Sequence, residues 1–486
     1  MTIVYDVNDD DEKKSSVNSG GTWKQYFVTF VVNLGAFSIG TLLGWTSQTI
    51  PKLKQQQQDD DNNNGGVVNL NESELSWMAG LMPLGAAAAS VPVPLLMKYF
   101  GRKLTLLSVV PFYTGGFFLL AWSRNAGMFY AGRFITGLCG GAFSIISPIY
   151  TGEIGDKNIR GSLGTYYEFM LAAGVEFSYV IGGITSVFWF SITCGLIPIL
   201  FGIIFIFVPD SPYYYVSKGK INEAKNSLMF FRGNNNNNNS IDVELNDIKR
   251  FVNESKTKKL SLKLFTRKAA IKSLLIAFGL MIFQQFGGAN AVVFNTTFIF
   301  KEAGTDLEPS KATMIVGLMQ FFGNFLSMLL IDKLGRRILL MMSGGAMGTC
   351  TLILGIYFHW IINDKDVNGL KWIPLLSLCV FMIMFSIGWG PVAWMMLGEL
   401  FPTEIKTVAS SFSCATNWIA TFLVTKYFGE MIDSVGQNYT FWIFTIISFV
   451  GFCFVYLFVP ETKGKTLEEV QKQLKGLDNE GFTSST

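Results

Sequence analysis

Apolar runs of about twenty residues recur along this chain, and no other feature constrains its fold as tightly. A helix needs about 20 mostly apolar residues to cross a bilayer. Such runs fall near 25–48, 75–97, 103–123, 127–150, 162–186 and 187–208. A second set falls near 270–299, 310–331, 337–361, 372–398, 407–430 and 439–459. They make about twelve spans in two groups of six, and the class expected is an all-α membrane protein.

Composition agrees. Of 486 residues, 50% are hydrophobic and only 15% charged, with 44 Phe and a mean hydropathy of +0.37. Soluble domains carry roughly 25% charged residues. An exterior this poor in charge would aggregate in water, so the lipid bilayer is the natural solvent. The net charge of +3 is too small to point to nucleic acid, and no such partner is expected. Cys139, Cys194, Cys350, Cys379, Cys414 and Cys453 all lie in apolar runs with no metal-like spacing. They fit buried small hydrophobes rather than a disulfide framework. The single histidine, His359, ends an apolar run, and metal sites need clustered ligands. Neither metal nor cofactor is expected.

Loop charges orient the spans. Lys98, Arg102 and Lys103 follow the second span, Lys157 and Arg160 the fourth, and Lys333, Arg336 and Arg337 the eighth. The opposite loops are nearly free of basic residues. By the positive-inside rule both termini and the long central loop are cytoplasmic. The first 22 residues, with "NDDDEKK", do not form a signal peptide and are expected to be a disordered cytoplasmic tail. The bundles are placed at 23–210 and 267–460, with a linker at 211–266 and a tail at 461–486. In the linker, "INEAKNSLMFF" and "IDVELNDIKRFV" space apolar residues for amphipathic helices under the membrane. "QQQQDDDNNN" at 55–64 and "NNNNNN" at 234–239 are expected to be disordered. Asn71, in "NES" on the same outer loop as the first run, is a plausible glycosylation site.

The halves repeat one another. "KYFGRKLTLLS" (98–108) matches "DKLGRRILLMMS" (332–343). Gly152–Glu153 with Arg160 matches Gly398–Glu399 with Lys406, and "VPDSP" (208–212) matches "VPETKG" (459–464). Three pairs in the same order exceed chance. Six spans per half leave both copies facing the same side, a transporter architecture. The expected fold is therefore twelve transmembrane helices in two pseudo-symmetric six-helix bundles, plus short cytoplasmic helices. The repeated charges are read as a cytoplasmic latch between the halves: Arg102, Arg133, Glu153, Arg160, Asp332, Arg336, Arg337, Glu399 and Lys406. The plainer alternative is topology signalling by positive charge.

"FQQFGGAN" (283–290) sets Gln284, Gln285 and Asn290 inside an apolar span. Amides donate and accept without changing charge, as binding a polyhydroxyl compound demands. On an unbroken helix Gln285 and Asn290 would lie about 140° apart. A distortion at Gly287–Gly288 would turn both toward one cavity, where irregular backbone is tolerated. Hydrogen bonding between helices is the competing explanation.

Together these motifs resemble those of the sugar porters of the major facilitator superfamily, in particular the facilitative glucose transporters and the branch near insect trehalose transporters. The match runs from about residue 25 to 470. Its further motifs are "AGRF" (131–134), "PIYTGEI" (148–154), "RGSLGT" (160–165), "GWGPVAWMMLGELFP" (388–402) and "NW" (417–418). The resemblance implies a discontinuous seventh helix whose amides, Gln284, Gln285 and Asn290, hold sugar. It implies that Trp394 packs on the sugar ring, an indole face suiting pyranose C–H patches. Asn417 and Phe385 match cavity residues, and Gln320 stands where the family has asparagine. Phe294 and Asn295 fall at the outer gate. Gly388, Gly390 and Pro391 would let the tenth span bend.

Several positions depart from that pattern. Lys98 replaces an aspartate, Lys406 an arginine, Tyr213 an arginine and Ala393 a proline. Glu168 stands where the family has a sugar-binding glutamine, with Glu176 two turns on. Intramembrane carboxylates are functional candidates by default. Against proton coupling, the related symporters carry an aspartate on the first span, aligned here with Ile39. The function expected is a hexose transporter, glucose-like in preference, working by alternating access as a uniporter. A sugar–proton symporter using Glu168 and a non-transporting sugar sensor are the alternatives. No "GxxxxGK[ST]" is present for ATP, and the lone histidine leaves no catalytic triad, so no enzyme is expected. One copy of the chain is expected to suffice, at the plasma membrane, with an internal membrane as the alternative.

Overall fold

The computed structural model describes residues 19–60, 70–156, 159–233, 238–257, 265, 267–402, 405–465 and 467–475. The expectations for residues 1–18, 61–64, 234–237 and 476–486 lie outside the described residues, as do the side chains of Arg160 and Asp332. The first half supplies α1 (Ser19–Asp60), α2 (Glu72–Ala89), α3 (Pro92–Ala121), α4 (Ala126–Ile154), α5 (Arg160–Ile184) and α6 (Val187–Phe205). Between the halves lie α7 (Pro212–Ser217), α8 (Ile221–Arg232) and α9 (Asn238–Thr257). The second half supplies α10 (Lys268–Phe286), α11 (Ala289–Ala303), α12 (Pro309–Leu334), α13 (Arg336–Ile362), α14 (Ile373–Ile387), α15 (Trp389–Leu400), α16 (Lys406–Val435) and α17 (Gln437–Phe458). A last helix, α18, covers Leu467–Lys475.

The fold is all-α. Among the described residues, nine helical segments are long and apolar enough to cross a membrane. Three other long helices, α2, α5 and α16, fall outside that set. α5 carries Glu168 and Glu176 and α16 carries Asn417 and Lys426 in mid-helix, while α2 spans only 18 residues and opens with Glu72 and Glu74. Some local expectations change. The glutamine run at 55–58 is helical, because α1 continues unbroken to Asp60. Asn238 and Asn239 likewise open α9. The apolar run 75–97 is divided at Ser90–Val91, where Pro92 starts α3 at a position needing no N–H. Asn71 caps α2, accepting from the Glu74 N–H at 2.9 Å while the Glu74 carboxylate accepts from the Asn71 N–H at 2.8 Å.

The repeat seen in sequence has a geometric counterpart. Gly101 (φ 89°) and Gly335 (φ 90°) make matching turns. A side chain at Gly101 would collide with the Asp210 carboxylate, and one at Gly335 would come within 2.7 Å of the Glu461 carboxylate. Thus "VPDSP" and "VPETKG" fold back onto the two turns. Glu461 caps α13 by accepting from the Arg336 and Arg337 N–H groups at 3.0 Å each. Burial raises the Asp210 carboxyl from its ordinary value, against the pull of the Ser211 N–H and of Arg102. Arg102 pairs with Glu153 at 2.6 Å, and Arg336 with Glu399 at 3.1 Å. These charges mark one end of the molecule, the basic face.

Both ion pairs lie within a half, so in this conformation they do not bridge the halves. Lys406 donates to the Gly398 carbonyl at 2.8 Å. Arg337 reaches the Tyr456 carbonyl. Arg133 must be moved from the latch altogether. It sits on α4 about 30 Å from Glu153, at 1.5 Å of rise per residue. It is wholly buried and donates to the Met78 carbonyl (3.1 Å), the Leu42 carbonyl (3.1 Å) and Thr46 Oγ1 (2.9 Å). Its guanidinium lies 5.3 Å from the Trp45 ring centre. A buried guanidinium needs its fork of donors filled, and helix carbonyls do that here. Arg133 therefore ties α1, α2 and α4 together.

The linker helices form a small core of their own from Val216, Leu228, Ile241, Leu245 and Ile248. Arg232 holds it to the first half, donating to the Ile154 carbonyl at 2.8 Å and to Glu244 at 2.6 Å. α18 docks instead on the second half, where Gln471 donates to the Leu400 carbonyl at 2.6 Å. A left-handed, extended glycine conformation is essentially closed to other residues. Gly335→Ala should therefore cost about 1–3 kcal/mol, read as a lower thermal midpoint of the detergent-purified protein. An unchanged midpoint would mean that the turn is not under this constraint.

Candidate substrate site

The segment "FQQFGGAN" does break. α10 ends at Phe286, α11 begins at Ala289, and Gly288 between them takes φ 91°. A Cβ there would also stand 3.0 Å from the Phe444 ring. The break brings Asn290 beside Gln285, and Asn290 Nδ2 donates to Gln285 Oε1 at 2.6 Å. Gln285 Nε2 donates to Asn417 Oδ1 at 3.1 Å, and Asn417 Nδ2 to Gln284 Oε1 at 2.7 Å. Four amides from α10, α11 and α16 thus form one chain of hydrogen bonds.

A second break lies opposite. α14 ends at Ile387 and α15 starts at Trp389, with Gly388 at φ −122°, ψ −85°. The Ser343 hydroxyl spans this break, donating to the Met384 carbonyl at 2.7 Å and accepting from the Trp389 N–H at 3.3 Å. Gln284 Nε2 donates to the carbonyls of Trp389 (2.7 Å) and Gly390 (3.1 Å). Both N–H groups of Gln284 are therefore committed to the protein. Its first role is to join the two broken spans. Ser343 carried no signal in the sequence, because its task exists only once α13 meets the break.

A cavity of about 480 Å³ lies between the halves. It lies within the size range of small-molecule pockets, about 300–1,000 Å³. The structure places Glu168, Gln284, Gln285, Asn290, Gln320, Phe385, Gly390, Pro391, Trp394 and Asn417 on its wall. Tyr167, Asn324, Ser386 and Trp418 line it too and were missed from sequence. Trp418 lay in plain view in "NW", but nothing in a sequence shows which face of α16 is inward. Toward the basic face the wall continues through Pro148, Gly164, Thr165 and Ile331.

The other end is sealed by contacts across the halves. The Tyr179 hydroxyl donates to the Val293 carbonyl at 2.8 Å, and the Ser47 and Thr297 hydroxyls meet at 3.1 Å. Ser76 donates to the Lys426 carbonyl at 3.1 Å, beside Trp77 and Phe422, whose tilted rings lie 6.1 Å apart. Phe294 is buried, while Asn295 donates to the Ala291 carbonyl of its own helix at 2.9 Å. Neither lines the cavity.

A family model described as "Sugar (and other) transporter" matches residues 28–474. The chain belongs to this family. Among relatives of this sugar porter, the Bombyx mori "Facilitated trehalose transporter Tret1" is 35% identical over 471 residues, 97% of this chain and 90% of that one. The Polypedilum vanderplanki protein of the same name is 34% identical, covering 98% and 94%. A longer Drosophila yakuba relative is covered over 55% of its length. In fold, the porter resembles the xylose transporter XylE from E. coli in a "partially occluded inward open conformation". The TM-score is 0.76 at 23% identity, covering 92% of this chain and 100% of that one. The family is one of transporters rather than catalysts.

Each amide that faces the cavity offers a neutral hydrogen bond, worth about 0.5–1.5 kcal/mol. Gln285→Leu and Asn290→Leu should each weaken sugar affinity roughly two- to tenfold, measured by substrate binding to purified protein, with membrane insertion intact. Unchanged affinity and transport in both would remove them from the site.

Proposed function

We propose that this chain is a facilitative transporter of a glucose-like sugar, carried by alternating access. The observation behind this reading is the cavity walled by both halves, mostly apolar with a cluster of amides, closed at one end by hydrogen bonds and running toward the basic face at the other. Rocking the halves would exchange those conditions. Twelve crossings follow if α2, α5 and α16 join the nine apolar segments, which arranges the chain as two six-helix bundles. By the positive-inside rule the basic face is cytoplasmic, so the conformation described here is inward-facing. One copy contains the whole cavity, in keeping with action as a monomer, and the plasma membrane is the proposed address.

The sugar would lie against Trp394 and bond to Gln285, Asn290 and Asn417, with Gln320 and Glu168 opposite. The names of the relatives, facilitated trehalose transporters, favour passive transport and leave room for a larger substrate. Uniport is also supported on the first span, where Ile39 is wholly buried and Arg133 bonds to neutral acceptors. Symport has one observation in its favour, the carboxylate of Glu168 in the cavity wall.

Proteoliposomes separate the two. Wild type and Glu168→Gln should both take up glucose until inside and outside are equal, with or without an imposed pH gradient. Accumulation above equality in wild type under a gradient, lost in Glu168→Gln, would replace uniport by symport. Binding without flux would mark a sensor.

A further inference from the structure

At the sealed end two lysines reach rings of the opposite half. Lys426 Nζ of α16 lies 5.2 Å from the Trp77 ring centre on α2, and Lys54 Nζ of α1 lies 5.9 Å from the Phe298 ring centre on α11. Each half thus gives one lysine and receives one on a ring, so the two contacts are reciprocal. Among the described residues, these are the cation–ring contacts that cross between the halves. The others, such as Arg102 on Tyr214, Lys218 on Tyr99 and Arg337 on Tyr456, stay within one half and the linker pinned to it.

Both ammonium groups also have a carboxylate of their own half. Lys426 meets Glu430 at 2.6 Å, one turn along α16, and Lys54 meets Glu72 at 2.7 Å. The Lys426 side chain is only 5% exposed, that of Lys54 30%. α2 comes this close to α16 because residue 80 is glycine: a Cβ there would stand 3.1 Å from the Lys426 Cβ and from the Phe422 ring. A cation over a ring face is attracted by the ring's quadrupole, more strongly where water is excluded. When the halves part at this end, each lysine loses a ring of the other half and keeps its own carboxylate. A buried charge left without a partner would be costly, and here none is left. Opening therefore costs the ring contact and not an ion pair.

We propose that Lys54 with Phe298 and Lys426 with Trp77 form a reciprocal clasp across the sealed end, which favours the conformation described here over the one open at that end. These four residues lie outside the cavity wall, so the clasp sets the balance of conformations without touching substrate. It does at this end what the ion pairs at the basic face, confined to their own halves, do not do there. The proposal rests on the alternating-access reading and adds to it the residues that bias the resting state.

The test is a spin-label distance across the sealed end, measured without sugar on the purified full chain in lipid nanodiscs. Labels go on Arg124→Cys and Lys365→Cys, exposed positions at that end of each half, with Cys453→Ser removing the one exposed thiol among the described residues. The unsubstituted clasp should give a main short distance and a minor long one. Lys426→Met and Trp77→Leu should each raise the ratio of long to short about five- to thirtyfold, and the more exposed Phe298→Leu about two- to fivefold. Lys426→Met and Trp77→Leu combined should match either alone within about twofold, because a single contact is lost. Two populations whose ratio is unchanged in these variants, or effects that multiply in the combined one, would overturn the clasp and leave alternating access standing. One distance in every sample would sink alternating access itself, and the clasp with it. Should Lys426→Met fail to fold, Phe298→Leu carries the same test on the other arm.

Discussion

Backbone that leaves the helix inside a membrane must find partners other than lipid for its freed N–H and C=O groups. This constraint organises the second half of the protein. Two spans break there, at Gly288 and Gly388, and at the second break side chains bond the backbone on both sides. Gln284 takes the carbonyls of Trp389 and Gly390, while Ser343 takes the Trp389 N–H and the Met384 carbonyl. The breaks are thus tied to each other, and the cavity is the space they leave. Polar residues that look like a binding motif in sequence are partly the means by which broken helices are kept in the bilayer.

The two halves solve the same problem differently. The first half has few breaks and a buried cation. Arg133 fills its donors with carbonyls of α1 and α2, which locks three helices into one body. The linker core is pinned to that body through Arg232, and α18 is pinned to the other through Gln471. Each half therefore carries its own extramembrane helix, and each holds its own arginine–glutamate pair at the basic face. Strong contacts within halves and hydroxyl contacts between them suit two bodies that move against each other. Neutral hydrogen bonds contribute only about 0.5–1.5 kcal/mol each, so a seal made of them can open.

The apolar periodicity, the loop charges and the repeated motifs were legible because each is a local property. A run of about twenty apolar residues marks a candidate span without reference to its neighbours. The site was legible in its amides, since Gln284, Gln285, Asn290 and Asn417 stand out against apolar neighbours. The disorder expected at 55–60 was not found, because a helix already held by packing lower down extends at little cost through residues that would not start one.

Sequence alone determined the class of fold, the pairing of the halves and the chemistry of the candidate site, because composition and spacing express them directly. Only the tertiary structure decided which polar groups are free. Gln284 turned out to be committed to a neighbouring helix, Arg133 to lie far from the other charges, and Ser386 to face the cavity with its hydroxyl unpaired. A side chain's type fixes how many hydrogen bonds it can make. Who takes them depends on the helices that pack against it.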